Sequence, residues 1–207
     1  YAFSSKDSVG MPNGVVSATA MNVLYQGIDN PMDISVPGVG SNQLTVRMTN
    51  GEIKKGKYKN YRGEWVAQPR TVGENAQIIV SANINGKIQS FPPVEFRVRR
   101  IPDPEARFAN MKEGNVLRSV AAAQQVVTAT LENFEFDLTY SITGFTVSVN
   151  DKGFEITAEA NSNRLTDKQK SLIGGLRAGQ KLIIEKITAV GPDGRTRNLN
   201  PIILKIN

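Results

Sequence analysis

Residues 21–39 have the sequence MNVLYQGIDNPMDISVPGV, in which two short apolar runs flank a turn at residues 27–31. Within that turn, Asp29 and Asn30 favour hydrogen bonds from the side chain to the local backbone. Pro31 restricts the residue before it to extended geometry. The stretch therefore predicts two short strands around a tight corner, an arrangement typical of a β-sandwich.

Short runs with period-two alternation continue through the first half of the chain. They predict strands at residues 15–20, 33–36, 44–48, 77–82 and 91–99. Two Asn-Gly pairs, Asn50-Gly51 and Asn85-Gly86, predict β-hairpins because both residue types accept the positive φ angles of primed turns. This density of strands and turns predicts an immunoglobulin-like β-sandwich over residues 1–101.

The sequence RRIPDP at residues 99–104 interrupts this pattern with Pro102 and Pro104. Two prolines in three positions cannot continue a strand ladder, and they favour stiff extended geometry. We therefore place a domain boundary here, followed by a second domain over residues 105–207. Because the link is short, the two domains should be held end to end with limited freedom.

The second half is β-rich with one or two short helices, so the predicted fold class is mainly β with two domains in tandem. Alternation and turn residues predict strands at residues 126–131, 134–149, 154–160, 181–190 and 201–206. An Ala-rich stretch predicts a short helix within residues 116–125. A capping box formed by Thr166 and Gln169 predicts a helix over residues 167–177 that ends at Gly179.

Composition excludes several kinds of site. The chain has 207 residues, a net charge of +6, no Cys and no His. Disulfides, thiolate nucleophiles, zinc–thiolate sites and imidazole bases are therefore absent from its chemistry. The chain is predicted not to be an enzyme and to hold no cofactor. No stretch reaches the roughly 20 apolar residues that span a bilayer, and the N-terminal sequence predicts that this is a piece of a longer protein.

One cluster combines basic and aromatic side chains in a pattern that suits single-stranded nucleic acid. Its members are Lys54, Lys55, Lys57, Tyr58, Lys59, Tyr61, Arg62 and Trp65. The same pattern fits a charged hairpin whose lysines protect an edge strand while its aromatic residues pack inward. We favour the hairpin, and no nucleic-acid partner is predicted. An acidic protein partner is an intermediate possibility.

The other candidate sites are weaker. Three carboxylates could supply a glycosidase pair: Glu132, Glu135 and Asp137. Oxygen ligands for calcium could come from Asp29, Asn30 and Asp33. Glu135 and Asp137 alternate with apolar residues, which puts them on a solvated face without the pKa tuning that acid catalysis needs. Gly38 and Gly40 lack the rest of a dinucleotide fingerprint and are predicted turn residues. No catalytic, cofactor-binding or metal residue is predicted.

Four segments in order carry a resemblance to a known family. They are MNVLYQGIDNPMDISVPGV (21–39), FRVRRIPDPEARF (96–108), LENFEFDLTYSITGFTV (131–147) and LRAGQKLIIEKITAVGPDGRTRNLNPIILKI (176–206). Together they resemble the C-terminal periplasmic region of the GldM/PorM family of the gliding-motility and type IX secretion apparatus. The resemblance covers nearly the whole chain, and no single segment is diagnostic.

The resemblance implies a structural role. Family members are anchored in the inner membrane by a helix that pairs with GldL/PorL, and a dimeric periplasmic arm reaches a ring of GldK/PorK and GldN/PorN. This chain would then be the last two domains of a force-transmitting arm, with residues 105–207 supplying much of the ring contact. The alternative is a carbohydrate-binding or adhesive β-sandwich module, with Tyr58, Tyr61 and Trp65 lining its cleft.

Overall fold

The computed structural model describes residues 21–58, 61 and 63–207. Two β-rich regions follow each other along the chain, and the mainly β fold class is confirmed. The predicted strand at residues 15–20 lies outside the described residues. The domain bounds 1–101 and 105–207 stay a prediction.

The first region contains two sheets. Its strands are β1 (Val23–Tyr25), β2 (Asn30–Met32), β3 (Leu44–Met48), β4 (Gly51–Lys55), β5 (Trp65–Pro69), β6 (Ala76–Ile84), β7 (Lys87–Ser90) and β8 (Val94–Arg99). One sheet has the order β1-β8-β6-β3 with β7 beside β6, and the other has the order β2-β5-β4. Leu24 and Val98 from the first sheet pack with Ala67 from the second. This two-layer packing is compatible with an immunoglobulin-like sandwich.

The corner at the start of the described chain joins the two sheets. Strand β1 confirms the first of the two predicted short strands. The second strand lies earlier than predicted, because β2 includes residues 30 and 31 of the predicted turn, and Pro31 is tolerated there since β2 lies at a sheet edge. Asn30 is only 2% exposed. Its amide nitrogen donates to the carbonyl oxygens of Tyr25, Ile28 and Ala67 at 2.9, 3.0 and 3.2 Å, and its Oδ1 accepts from the Tyr25 amide at 2.7 Å. One side chain thus fastens the corner to both sheets.

Two predictions for the first region are wrong. Residues 33–35 form no strand, because the alternation there reflects side chains such as Ile34 that pack on the core without a ladder. The Asn50-Gly51 turn does not join a hairpin, since β3 pairs with β6 while β4 pairs with β5. Asn50 does adopt a positive φ of 48°. The turn therefore carries the chain from one sheet to the other.

Other predictions in this region hold. Asn85-Gly86 forms the hairpin between β6 and β7, with φ angles of 51° and 80°. Strand β3 has the predicted bounds, and β6 extends beyond the predicted 77–82 at both ends. The final strand begins at Val94 rather than at residue 91, because two prolines at positions 92 and 93 supply no amide donors.

The second region is one main sheet covered by two helices and a small ribbon. Its elements are β9 (Glu105–Arg107), β10 (Glu113–Val116), α1 (Arg118–Ala123), β11 (Thr128–Thr130), β12 (Ser141–Asp151), β13 (Phe154–Ala160), α2 (Asp167–Gly175), β14 (Lys181–Val190), β15 (Thr196–Leu199) and β16 (Ile202–Ile206). The sheet order is β10-β16-β14-β12-β13 with β15 beside β14, and β9 pairs with β11. Val147, Ile173 and Leu204 are among its fully buried core residues.

The helices and most strands of this region match the prediction. Helix α1 lies within residues 116–125. The capping box is confirmed, because the Thr166 hydroxyl accepts from the Gln169 amide and the Gln169 side chain accepts from the Thr166 amide. The helix that this box begins ends at Gly175, two residues before the predicted 177, since two consecutive glycines disfavour helix. In the described part of the chain, no helix is long and apolar enough to cross a membrane.

The predicted strand at 134–149 is wrong in its first half. Residues 131–140 lie outside the strands, and β12 begins at Ser141. Burial still alternates, with Phe134 and Phe136 half-buried and Glu135 exposed. The reason is that these aromatic side chains pack against the first region instead of taking part in a ladder. Strands β5, β9, β10 and β15 had no sequence prediction.

We predict that Asn30→Ala lowers the free energy of unfolding by about 2–4 kcal/mol, because it leaves buried backbone groups at the corner without partners. Urea unfolding followed by circular dichroism measures the loss. Asn42→Ala, at an exposed position, is the matched control and should change stability by less than about 0.5 kcal/mol. Equal stability of the two variants would contradict the role given to Asn30.

Candidate functional site: the junction between the two halves

The two regions meet in a small apolar core of their own. We call residues 21–99 the first half, residues 100–104 the link and residues 105–207 the second half. Ile28, Ile101 and Tyr140, one from each of these three parts, are all buried in this core. The half-buried side chains packed against them are Tyr25, Ala129, Leu131, Phe134, Phe136 and Leu138. Burying apolar surface between the halves favours one relative position over a freely moving pair.

Aromatic contacts extend this junction core to its surface. The ring of Tyr25 makes edge-to-face contacts with Phe134 and Phe136, with centroid distances of 4.9 and 5.8 Å. The ring of Tyr61 stacks on Phe136 at 6.0 Å, and its hydroxyl donates to the Glu135 carbonyl at 2.5 Å. Each such aromatic pair contributes about 0.5–1.5 kcal/mol beyond the area that it buries. The segment 131–140 is therefore held by the first half.

Arg197 is the polar centre of the junction. From β15, its guanidinium donates to both carboxylate oxygens of Asp193, at 2.9 and 2.7 Å, and to Asp103 of the link at 2.8 Å. The same group lies 5.3 Å from the centroid of the Tyr140 ring. The Tyr140 hydroxyl in turn donates to the carbonyl of Pro102 at 3.0 Å. These bonds tie the link to the second half at two successive residues.

Burial sets the electrostatics of this arrangement. The side chains of Arg197 and Asp193 are only 7% and 5% exposed. Hydrogen bonding from Arg197 holds the pKa of Asp193 below its ordinary value, and the same bond raises the pKa of Arg197. Burial raises the pKa of the Tyr140 phenol. The pair therefore stays charged at neutral pH and Tyr140 stays protonated, so the hydroxyl remains a donor to the link.

Gly27 allows the halves to approach closely. It has a φ of 81° in the turn between β1 and β2. A Cβ atom at this position would lie 2.5 Å from the Cβ of Asp193. A larger residue would therefore suffer both an unfavourable backbone angle and a clash with the turn that carries the ion pair.

The structure divides the basic and aromatic cluster. Trp65 is 6% exposed in the core, and Lys55 lies 5.5 Å from its ring centroid. Lys54 and Lys55 lie on β4, an edge strand, and Lys54 pairs with Glu52 at 3.1 Å. The charged edge strand is therefore confirmed for Lys54 and Lys55, and the inward packing for Trp65.

The remaining members of the cluster have different places. Tyr58 and Tyr61 lie 5.8 Å apart, and Tyr61 contacts the second half. Lys57 is exposed. Lys59 and Arg62 lie outside the described residues. The aromatic side chains of the cluster are thus divided between the first-half core and the junction.

The structure gives the candidate carboxylates and glycines other roles. Glu132 pairs with Arg107 at 2.7 Å, and Glu135 and Asp137 are exposed as predicted. Gly38 has a φ of 76° in a turn, whereas Gly40 precedes a short 3-10 helix.

Asp29 and Asn30 already have protein partners. The Asp29 carboxylate accepts from the Gln68 amide at 2.5 Å, and the Asn30 side chain is hydrogen-bonded to the backbone. Asp33 lies three residues further along the chain in a segment without regular structure. Among the described residues, no group of three or more acidic side chains could hold a metal ion.

Sequence reasoning missed the polar centre of the junction. The sequence patterns single out none of Asp103, Asp193 and Arg197. The spacing of four residues between Asp193 and Arg197 is a local signal that could have paired them. Nothing local could have joined Asp103 to Arg197, because 94 residues separate them.

We predict that Arg197→Met lowers the free energy of unfolding by about 3–5 kcal/mol, because it leaves the Asp193 carboxylate buried without its cation. Arg195→Met, two residues away and exposed, is the control and should cost less than about 0.5 kcal/mol. Urea unfolding of both variants measures the difference. Equal losses of unfolding free energy in the two variants would contradict a specific stabilising role for the buried ion pair.

The same variant makes a prediction about pH. The lowered pKa of Asp193 stabilises the wild-type protein above the unfolded value of about 3.9, and this contribution is lost as the pH falls through the folded value. Without Arg197, burial raises that pKa, so acid relieves the penalty. The stability difference between wild type and Arg197→Met should therefore shrink between about pH 7 and about pH 3. A constant difference would contradict the coupling.

Comparison with known proteins places the chain in a family. A family model described as the GldM third domain matches residues 14–99, and one described as the GldM C-terminal domain matches residues 102–207. No curated protein matches the chain in a sequence search. The two matches follow each other in order, and the unmatched residues between them lie in the link. The chain therefore belongs to the GldM family and spans its third and C-terminal domains.

Proposed function

We propose that this chain is the end of a periplasmic arm that transmits force from an inner-membrane motor to a ring at the outer membrane. Membership of the GldM family makes it a component of the gliding-motility and type IX secretion apparatus. The structure of the junction is the observation that supports a force-transmitting role. A part that passes load needs stiff joints between its modules, and this joint combines an apolar core with a buried ion pair.

The link supports the proposal because it has little free length. At its first-half end, the amide of Gln26 donates to the carbonyl of Arg99 at 2.9 Å. At its second-half end, Tyr140 and Arg197 hold Pro102 and Asp103. Load applied to either half would therefore reach the other through several contacts in parallel, not through one flexible strand of peptide.

The proposed partners are those that the resemblance to the GldM/PorM family implies. The chain would form a homodimer, contact the GldK/PorK and GldN/PorN ring mainly through residues 105–207, and connect to GldL/PorL through a membrane part outside this sequence. The mechanism assigns no catalytic step, cofactor or nucleic-acid partner. Its location in the periplasm belongs to the same proposal.

The carbohydrate-binding alternative finds less support in the geometry. It requires a cleft lined by exposed aromatic side chains from Tyr58, Tyr61 and Trp65. Trp65 is instead buried beneath Lys55 in the sandwich. Tyr61 is stacked on Phe136 of the second half. The aromatic surface that sugar binding would use is therefore largely occupied by the protein itself.

A junction variant of the full-length protein in a gliding bacterium tests the proposal. Phe134→Ala with Phe136→Ala removes the aromatic contacts between the halves and leaves both main cores in place. We expect normal protein levels and normal co-isolation of the ring proteins, but a large loss of secretion and gliding. We expect binding to survive because these two side chains pack in the junction core instead of on the free surface of residues 105–207, whereas the loosened joint would dissipate force.

The matched control truncates two exposed apolar side chains outside the junction, in Ile88→Ala with Phe154→Ala. This control should secrete and glide normally. Normal secretion by the junction variant at wild-type protein level would contradict force transmission through the joint. Loss of ring co-isolation in that variant would instead assign the aromatic segment to partner binding.

A further inference from the structure

A groove with a volume of about 420 Å3 lies between the link and β15. Arg100 of the link lines it together with Arg195, which precedes β15, and with Arg197. Asp103 is the acidic residue among its lining side chains. The groove is therefore basic and is built from two parts of the chain that are far apart in sequence.

The three arginines differ in what they already bind. Arg197 is already engaged, since each of its three guanidinium nitrogens donates to Asp193 or Asp103 and one of them also donates to the Arg195 carbonyl. Arg100 and Arg195 are exposed, and within the described residues neither guanidinium has a hydrogen bond or an ion pair. The guanidinium groups of Arg100 and Arg195, whose planar geometry suits carboxylates, are thus available beside the buried ion pair of Arg197 and Asp193.

The shape of the groove favours an extended chain over a small anion. A second cavity of about 500 Å3, lined by Glu105, Lys112 and Glu113, shares Asp103 and Asn198 with the first, so the basic character is confined to the groove. Strand β15 pairs with β14 on one side. In the described part of the chain no ladder covers its other edge, and Thr196 and Asn198 on this strand line the groove. An open strand edge can bind an extended peptide by main-chain hydrogen bonds.

We propose that this groove binds an extended acidic segment of another protein. Its carboxylates would pair with Arg100 and Arg195, and its backbone would lie along the free edge of β15. The net charge of +6 would attract such a segment. Because Arg100 belongs to the link and Arg195 to the second half, the bound segment would brace the joint. This inference does not depend on the proposed force-transmitting role.

Titration of the isotope-labelled chain with a short peptide of alternating Glu and Thr tests the inference by nuclear magnetic resonance. We expect amide shifts concentrated at residues 100–103 and 195–198. Arg100→Gln and Arg195→Gln should each weaken binding by about tenfold, because each removes one charge-assisted hydrogen-bonding group. Both side chains are exposed, so unchanged melting curves would show that the variants remain folded.

The matched control is Arg177→Gln, which removes an exposed arginine that does not line the groove. It should bind the peptide as wild type does, and a peptide with Gln in place of Glu should not bind. Equal weakening by Arg177→Gln, unchanged binding by the two groove variants, or no binding at about 1 mM peptide would overturn the inference. Inorganic phosphate that reproduces the peptide's shifts would also overturn it, because it would show a small-anion site.

Discussion

The junction depends on one buried ion pair between Arg197 and Asp193. Two charges that are almost fully removed from water are costly unless each finds a partner with good geometry, and here the pairing is bidentate. Because Arg197 also binds Asp103, the pair cannot form its full set of bonds unless the link lies against the second half. The same group lies over Tyr140, which donates to the link in turn. The hydrogen bonds that the buried ion pair and Tyr140 make in the second half thus fix the path of the link.

The first half meets this arrangement through the corner between β1 and β2. Asn30 fixes the corner by bonding to the backbone of both sheets, and Gly27 at its tip leaves room for the Asp193 turn. A loosely held corner could not present Ile28 to the junction core in a defined position. The sandwich and the junction are therefore coupled, since Asn30 joins the two sheets of the sandwich and also fixes the corner that contacts the junction. Such coupling is what a stiff connection between two modules requires.

Much of this could be predicted from sequence where the determinants are local. The capping box of α2, the Asn85-Gly86 hairpin and the alternation along β14 each depend on neighbours within a few residues. Prediction failed where distant contacts decided the structure. Residues 134–140 alternate like a strand, but the surface that covers their aromatic side chains belongs to the first half. Asn50-Gly51 has hairpin chemistry, but its flanking strands pair with other partners. The bond from Arg197 to Asp103 gave no local signal, because 94 residues separate the two.

The junction holds the two halves in one relative position, and a distance measured between them tests this. The chain contains no cysteine, so Thr45→Cys with Thr157→Cys places one spin label on an exposed strand position in each half. Labelled protein diluted into an excess of unlabelled protein reports the distance within one chain, even in a dimer. Pulsed electron paramagnetic resonance should then give a single narrow distance distribution, which broadens when Arg197→Met is added. A broad distribution in the otherwise unaltered protein would contradict the claim.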